Sequence, residues 1–131
     1  MPQTILIVDD DDVFRDGLYC LLDDEDFQVY QANNGRAAMQ MLKEKIAEID
    51  LVITDILMPQ MDGIEFSRWV RDTYPDMTVL AMSGGSRLTI QGTEKHYNYL
   101  STCLKLGYVQ DAIEKPFEVQ EIIKKIQGLL N

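Results

Sequence analysis

The chain has 131 residues, 46% hydrophobic and 26% charged, which suits one globular domain with a real core rather than a disordered chain. Acids outnumber bases 22 to 12, for a net charge of −10, so the surface repels duplex nucleic acid and direct DNA binding is not expected. Apolar runs such as Ile5 to Val8 are too short to span a bilayer, and acids begin at Asp9 where a secretory apolar stretch would continue, so residues 1–131 read as one soluble, cytoplasmic domain with no membrane partner.

Ile5 to Val8 is a continuous apolar, β-branched run that ends sharply in Asp9-Asp10-Asp11-Asp12. A strand apolar on both faces belongs in the middle of a parallel sheet. Val13, Phe14, Leu18, Leu21 and Leu22 then recur at helical spacing, with Asp11 or Asp12 as N-cap. Phe27 to Gln31 reads as a second strand, Asn33-Asn34-Gly35 as a turn, and Ala38, Met41, Leu42 and Ile46 as one face of a second helix. Leu51 to Thr54 is a third strand ending at Asp55. After Pro59, Asp62-Gly63 opens a helix carrying Ile64, Phe66, Trp69 and Val70.

Met77 to Met82 reads as a fourth strand ending at Ser83-Gly84-Gly85, and a fourth helix is expected over roughly Glu94 to Leu106. Val109 to Glu114 is a fifth strand, broken by Lys115-Pro116. Val119, Ile122, Ile123, Ile126, Leu129 and Leu130 stripe a last helix. Cys20 and Cys103 fall in helices, have no metal-type spacing, and are expected to be reduced and partly buried. Strands alternating with helices imply an α/β fold, a doubly wound parallel sheet covered on both faces. The flavodoxin-like strand order 2-1-3-4-5 is chosen among such sheets, since periodicity supports the class but not the order.

In an open parallel sheet, ligands bind outside the carboxyl ends of the strands. Strand one delivers Asp9 and Asp10 there, strand three Asp55, strand four Ser83 and strand five Lys115. Each has an ordinary reading alone: Asp9 to Asp12 as a solvated N-cap, the others as turn, loop or surface residues. The conjunction at the ends of four strands carries more weight. Clustered carboxylates repel unless a cation sits between them, and Mg²⁺ takes hard oxygen ligands while keeping several waters. A carboxylate can act as nucleophile toward phosphorus, with an ammonium and a hydroxyl to hold the remaining oxygens.

The segments Ile5-Leu6-Ile7-Val8-Asp9-Asp10-Asp11, Ile53-Thr54-Asp55-Ile56-Leu57-Met58-Pro59 with Met61-Asp62-Gly63, Met82-Ser83-Gly84 and Glu114-Lys115-Pro116-Phe117 together resemble a response-regulator receiver domain of two-component signalling. The resemblance covers essentially the whole chain. It implies that Asp55 is the phosphoacceptor, and that Asp10, Asp9, Asp55 and the carbonyl of Leu57 bind Mg²⁺, Asp9 directly or through water. It implies that Ser83 donates its hydroxyl to the phosphoryl group, that Lys115 pairs with its oxygens, and that Pro116 follows a cis peptide bond. The implied donor is a sensor histidine kinase or phosphotransfer protein. The implied output is a downstream protein, or a further domain beyond Asn131, met by a surface near the fourth helix and fifth strand. Such a domain is no enzyme toward other substrates, although it assists its own phosphoryl transfer and hydrolysis.

Two departures from the family pattern stand out. The stretch from Ser83 to Lys115 is longer than usual, with the extra material placed around Gly84 to Tyr97, and Ala112 stands where many receivers carry Tyr or Phe. Two rival readings remain. One is a receiver-like scaffold that is never phosphorylated. The other is a haloacid-dehalogenase-type phosphatase using the D-x-D within Asp9-Asp10-Asp11, for which the chain lacks room for a cap.

Overall fold

The computed structural model describes residues 2–56, 63–83 and 103–130. Five parallel strands form one sheet in the order β2-β1-β3-β4-β5, as expected. They are β1 (Thr4–Val8), β2 (Gln28–Ala32), β3 (Leu51–Asp55), β4 (Thr78–Ser83) and β5 (Asp111–Glu114). The described helices are α1 (Asp12–Asp24), α2 (Gly35–Lys45), α3 (Gly63–Thr73) and the C-terminal α4 (Val119–Leu130). A short helical stretch at 103–105 is the described part of the expected fourth helix; Leu57 and Gly84 to Tyr97 lie outside the described residues.

Alternation along each central strand builds two cores. Ile5, Ile7, Leu51, Ile53, Leu80, Met82 and Ile113 pack on one face with Leu18 and Leu22 of α1 and Ile122 and Ile126 of α4. Leu6, Val8, Val52, Val79 and Ala81 pack on the other with Ala38 and Leu42 of α2, Phe66 and Val70 of α3, and Cys103. The period-2 geometry of a strand sends neighbours to opposite faces, and both faces are covered here, which is why β1 and β3 are buried throughout. Ala112 faces the second core and pairs in register with Ala81.

Local chemistry sets the element ends. Asp11 caps α1, its Oδ1 accepting the Phe14 N–H at 3.1 Å, and Asn34 caps α2 in the same way through Ala37 at 2.8 Å. Strand two starts one residue later than the sequence suggests, because the Phe27 N–H bonds back to the Leu22 carbonyl and Asp26 turns the chain at φ 68°. Met77 likewise closes a turn onto the Tyr74 carbonyl, so β4 starts at Thr78 and runs to Ser83. Strand five begins at Asp111 rather than Val109, because the Val109 N–H turns back toward the Cys103 carbonyl. That turn passes through Gly107 at φ 76°, a backbone region costly for other residues. Two side chains depart from expectation. Val13 is 84% exposed at the solvent side of α1, and Cys20 is exposed, because the buried stripe of α1 runs through Leu18 and Leu22 instead.

Candidate functional site: an acidic pocket at the carboxyl edge of the sheet

The parallel register places the strand ends at one level. Val8 pairs with Thr54, Asp55 with Met82, and Ser83 with Glu114. The residue just after β1 is therefore set beside the last residue of β3, and Lys115 is set beside the end of β4. The strand order reverses between β1 and β3, because β1 leads to β2 on one side and β3 stands on the other. A crevice opens at such a reversal.

Asp9, Asp10 and Asp55 meet there. One carboxylate oxygen from each lies within 4.8 Å of the others, with Asp9 and Asp55 fully buried and Asp10 half-buried. Lys115 reaches in from β5. Its Nζ donates to Asp9 Oδ2 at 2.7 Å and to Asp55 Oδ2 at 3.4 Å. Its side chain keeps 12% exposure, so the ammonium sits at the mouth of the pocket. Three formal carboxylates against one ammonium leave the cluster negative. Buried like charges at this spacing favour a further cation, and three hard oxygen donors with an open side suit a small divalent one. Ser83 is 94% buried as the last residue of β4, and its carbonyl accepts the Lys115 N–H at 2.8 Å. The Lys115–Pro116 peptide is cis, as the resemblance implied.

The sequence-named residues Asp9, Asp10, Asp55, Ser83 and Lys115 thus all stand at one edge. Leu57 lies outside the described residues. Two further residues of the first turn of α1 brace the pocket and carry no sequence signal for it. Arg15 donates to the Asp9 carbonyl at 2.7 Å and to Gln31 Oε1 at 2.9 Å, and pairs with Asp12 at 2.7 Å. Phe14 places its ring centroid 4.0 Å from Lys115 Nζ. Both belong to an ordinary helical pattern when read in the chain. Asp9 itself is fixed twice more, by its Oδ1 accepting the Asp11 N–H at 2.9 Å and by its N–H donating to the Ala32 carbonyl at 3.1 Å.

Comparison with known proteins agrees with this fold. The chain is 28% identical to the response regulator MprA of Mycolicibacterium vanbaalenii over 132 residues, 99% of this chain and 51% of that protein. It is 28% identical to the sensor kinase CckA of Brucella abortus over 127 residues, 97% of this chain and 12% of that protein. The chain thus spans about half the length, or far less, of these curated relatives. Among solved structures, a response regulator receiver domain protein from Clostridium thermocellum superposes with a TM-score of 0.86 at 23% identity, covering 98% of this chain and 94% of that one. The signal receiver domain of an HD domain-containing protein from Pseudomonas fluorescens gives 0.83 at 25%, covering 99% and 95%. The family model described as the response regulator receiver domain matches residues 5–127, nearly the full length. With its sheet order, its acidic crevice and this match, the chain belongs to the response regulator receiver domain family of two-component signalling.

Proposed function

We propose that residues 1–131 form a single receiver domain that takes a phosphoryl group on Asp55 and thereby switches a protein-binding surface. The observation that carries this reading is the pocket in which Asp9, Asp10 and Asp55 gather, with the Lys115 ammonium bonded to Asp9 and Asp55. The donor is a phosphohistidine on a sensor kinase or phosphotransfer protein. An Asp55 carboxylate oxygen attacks phosphorus, the P–N bond breaks, and the donor imidazole keeps that electron pair. Hydrolysis returns the switch: water adds to phosphorus, the P–O bond to Asp55 breaks, and inorganic phosphate leaves. The chain is a phosphoacceptor that assists these two steps, not an enzyme toward other substrates.

The three carboxylates fit Mg²⁺, with Asp10, Asp9 and Asp55 as side-chain ligands and the carbonyl of Leu57 as a further one. When bound, the ion neutralises charge on the phosphoryl oxygens. The chain's own residues do the rest. Lys115 Nζ, 3.4 Å from Asp55 Oδ2, is within reach of an oxygen on phosphorus attached there. The Ser83 hydroxyl donates to another. Burial of Asp9 and Asp55 keeps bulk water away from the acceptor. Downstream, a target protein or a further domain reads the surface near the fourth helix and β5. The net charge of −10 argues against direct DNA contact by this domain. No described helix is long and apolar enough to cross a membrane, which is compatible with a cytoplasmic setting.

Incubation with a small acyl phosphate tests the reading. The expected result is a mass gain of one phosphoryl group that requires Mg²⁺ and vanishes in Asp55→Asn. Stable protein without incorporation under these conditions would instead favour the unphosphorylated scaffold. Phosphomonoester turnover lost in Asp9→Ala but kept in Asp55→Asn would favour the phosphatase.

A further inference from the structure

The ammonium of Lys115 has three N–H donors. Two directions are taken by Asp9 Oδ2 at 2.7 Å and Asp55 Oδ2 at 3.4 Å. The ammonium also lies over the Phe14 ring, whose centroid is 4.0 Å from Nζ. The other cation–ring pairs among the described residues are longer, at 4.6 to 5.9 Å. The Phe14 ring is itself held. Its backbone N–H is fixed by the Asp11 cap at 3.1 Å, and Phe117, two residues after the lysine, meets it edge-on at 5.8 Å and 86°. An aromatic face attracts a cation through its quadrupole, and more strongly where water is excluded.

We propose that Phe14 is a positioning residue for Lys115. Its ring, half-buried against Phe117, supplies a weakly negative wall that holds the ammonium over Asp9 and Asp55, aimed at the place where a phosphoryl oxygen arrives. An ammonium on a four-carbon stem is otherwise free to point to solvent. Ring, cap and Phe117 together limit that freedom, so the lysine is already near its working position before phosphate comes. This inference rests on the reading of Asp55 as phosphoacceptor.

Two measurements on the whole chain test it. In the metal-free protein, the Lys115 ε-methylene proton resonance should lie upfield of the other lysines from the ring current of Phe14. It should rejoin them in Phe14→Leu and shift upfield again in Phe14→Tyr. With Mg²⁺ and a small acyl phosphate, Phe14→Leu should take up phosphate about fivefold more slowly, the loss of a modest cation–ring attraction. Phe14→Tyr should recover most of that rate. If Phe14→Leu does not fold, Phe14→Met supplies the ring-free comparison. A Lys115 resonance unmoved by loss of the ring, or equal slowing by Tyr and Leu, would overturn the proposal. Absence of uptake by the wild-type protein would overturn the Asp55 reading and this proposal with it. Normal uptake by the folded, ring-free variant would overturn this proposal alone.

Discussion

Lys115→Met tests what holds the acidic pocket together in the absence of metal. The substitution keeps an unbranched, apolar stem out to Cε, with sulfur in place of Cδ, and removes the ammonium. Asp9 and Asp55 are both fully buried, and the ammonium bonds Asp9 at 2.7 Å and Asp55 at 3.4 Å. Removing one partner of a buried pair costs roughly 3–5 kcal/mol, because a charge is left buried without its counter-ion. Lys115 is 12% exposed at the pocket mouth, so some water can replace it and the lower end, about 3 kcal/mol, is expected. For a domain of 131 residues this corresponds to a fall in Tm of about 10 °C. Mg²⁺ should reverse part of the loss. A ligand at ten times its Kd stabilises by about 1.4 kcal/mol, and in Lys115→Met the ion meets three carboxylates with no ammonium competing for them. The rise in Tm with Mg²⁺ should therefore be larger in the variant than in the wild type. Thermal melts in chelator and in a Mg²⁺ series measure both effects, with the exposed Lys124→Met as control for the change in net charge. A chelated Lys115→Met that melts with the control would refute the reasoning, since the buried carboxylates would then not depend on the ammonium.

Asp10→Asn should weaken Mg²⁺ binding at least about tenfold yet raise metal-free stability by about 1 kcal/mol, because one like charge leaves the cluster; calorimetry and denaturant melts check both signs, and a loss of metal-free stability would contradict the repulsion argument. Arg15→Met should destabilise by about 2 kcal/mol, since the guanidinium is mostly buried and joins the Asp9 carbonyl, Gln31 and Asp12; a urea midpoint equal to wild type would remove it as a brace. Ser67→Ala should leave stability unchanged or raise it by about 1 kcal/mol, because the Ser67 hydroxyl is fully buried on α3 with no hydrogen-bond partner among the described residues; a clear loss in urea unfolding would mean that the hydroxyl has one.

Much of the fold is legible in the chain because its signals are local. Short continuous apolar runs, stopped near Asp9, Asp55, Ser83 and Lys115, mark the strands and their ends, and the two-sided apolarity of the Ile5–Val8 and Leu51–Ile53 runs marks a sheet covered on both faces. The cap of α1 is a local signal too, although the chain left Asp11 and Asp12 both open, and Asn34, read as a turn residue, caps α2 only in the folded chain. That the candidate residues would meet is legible for the same reason: the carboxyl ends of parallel strands lie on one edge, so residues at or just past each strand end are brought together there.

What the chain alone leaves undecided is which groups touch. Lys115 is 106 residues from Asp9, and nothing near either says that the ammonium bonds Asp9 more closely than Asp55. Phe14 reads as one more apolar residue of α1, while the fold turns it over Lys115 and against Phe117. Val13 beside it fits the same helical pattern and yet faces solvent, and Cys20 does too. Periodicity gives a stripe only to within a residue or so, and the angle at which a helix lies on its sheet decides which edge of the stripe is covered. The class of fold and the residues that stand at the strand ends come from short-range pattern. Strand order and the contacts of one ammonium come from register and packing between distant segments, which only the folded chain brings to within a few ångströms.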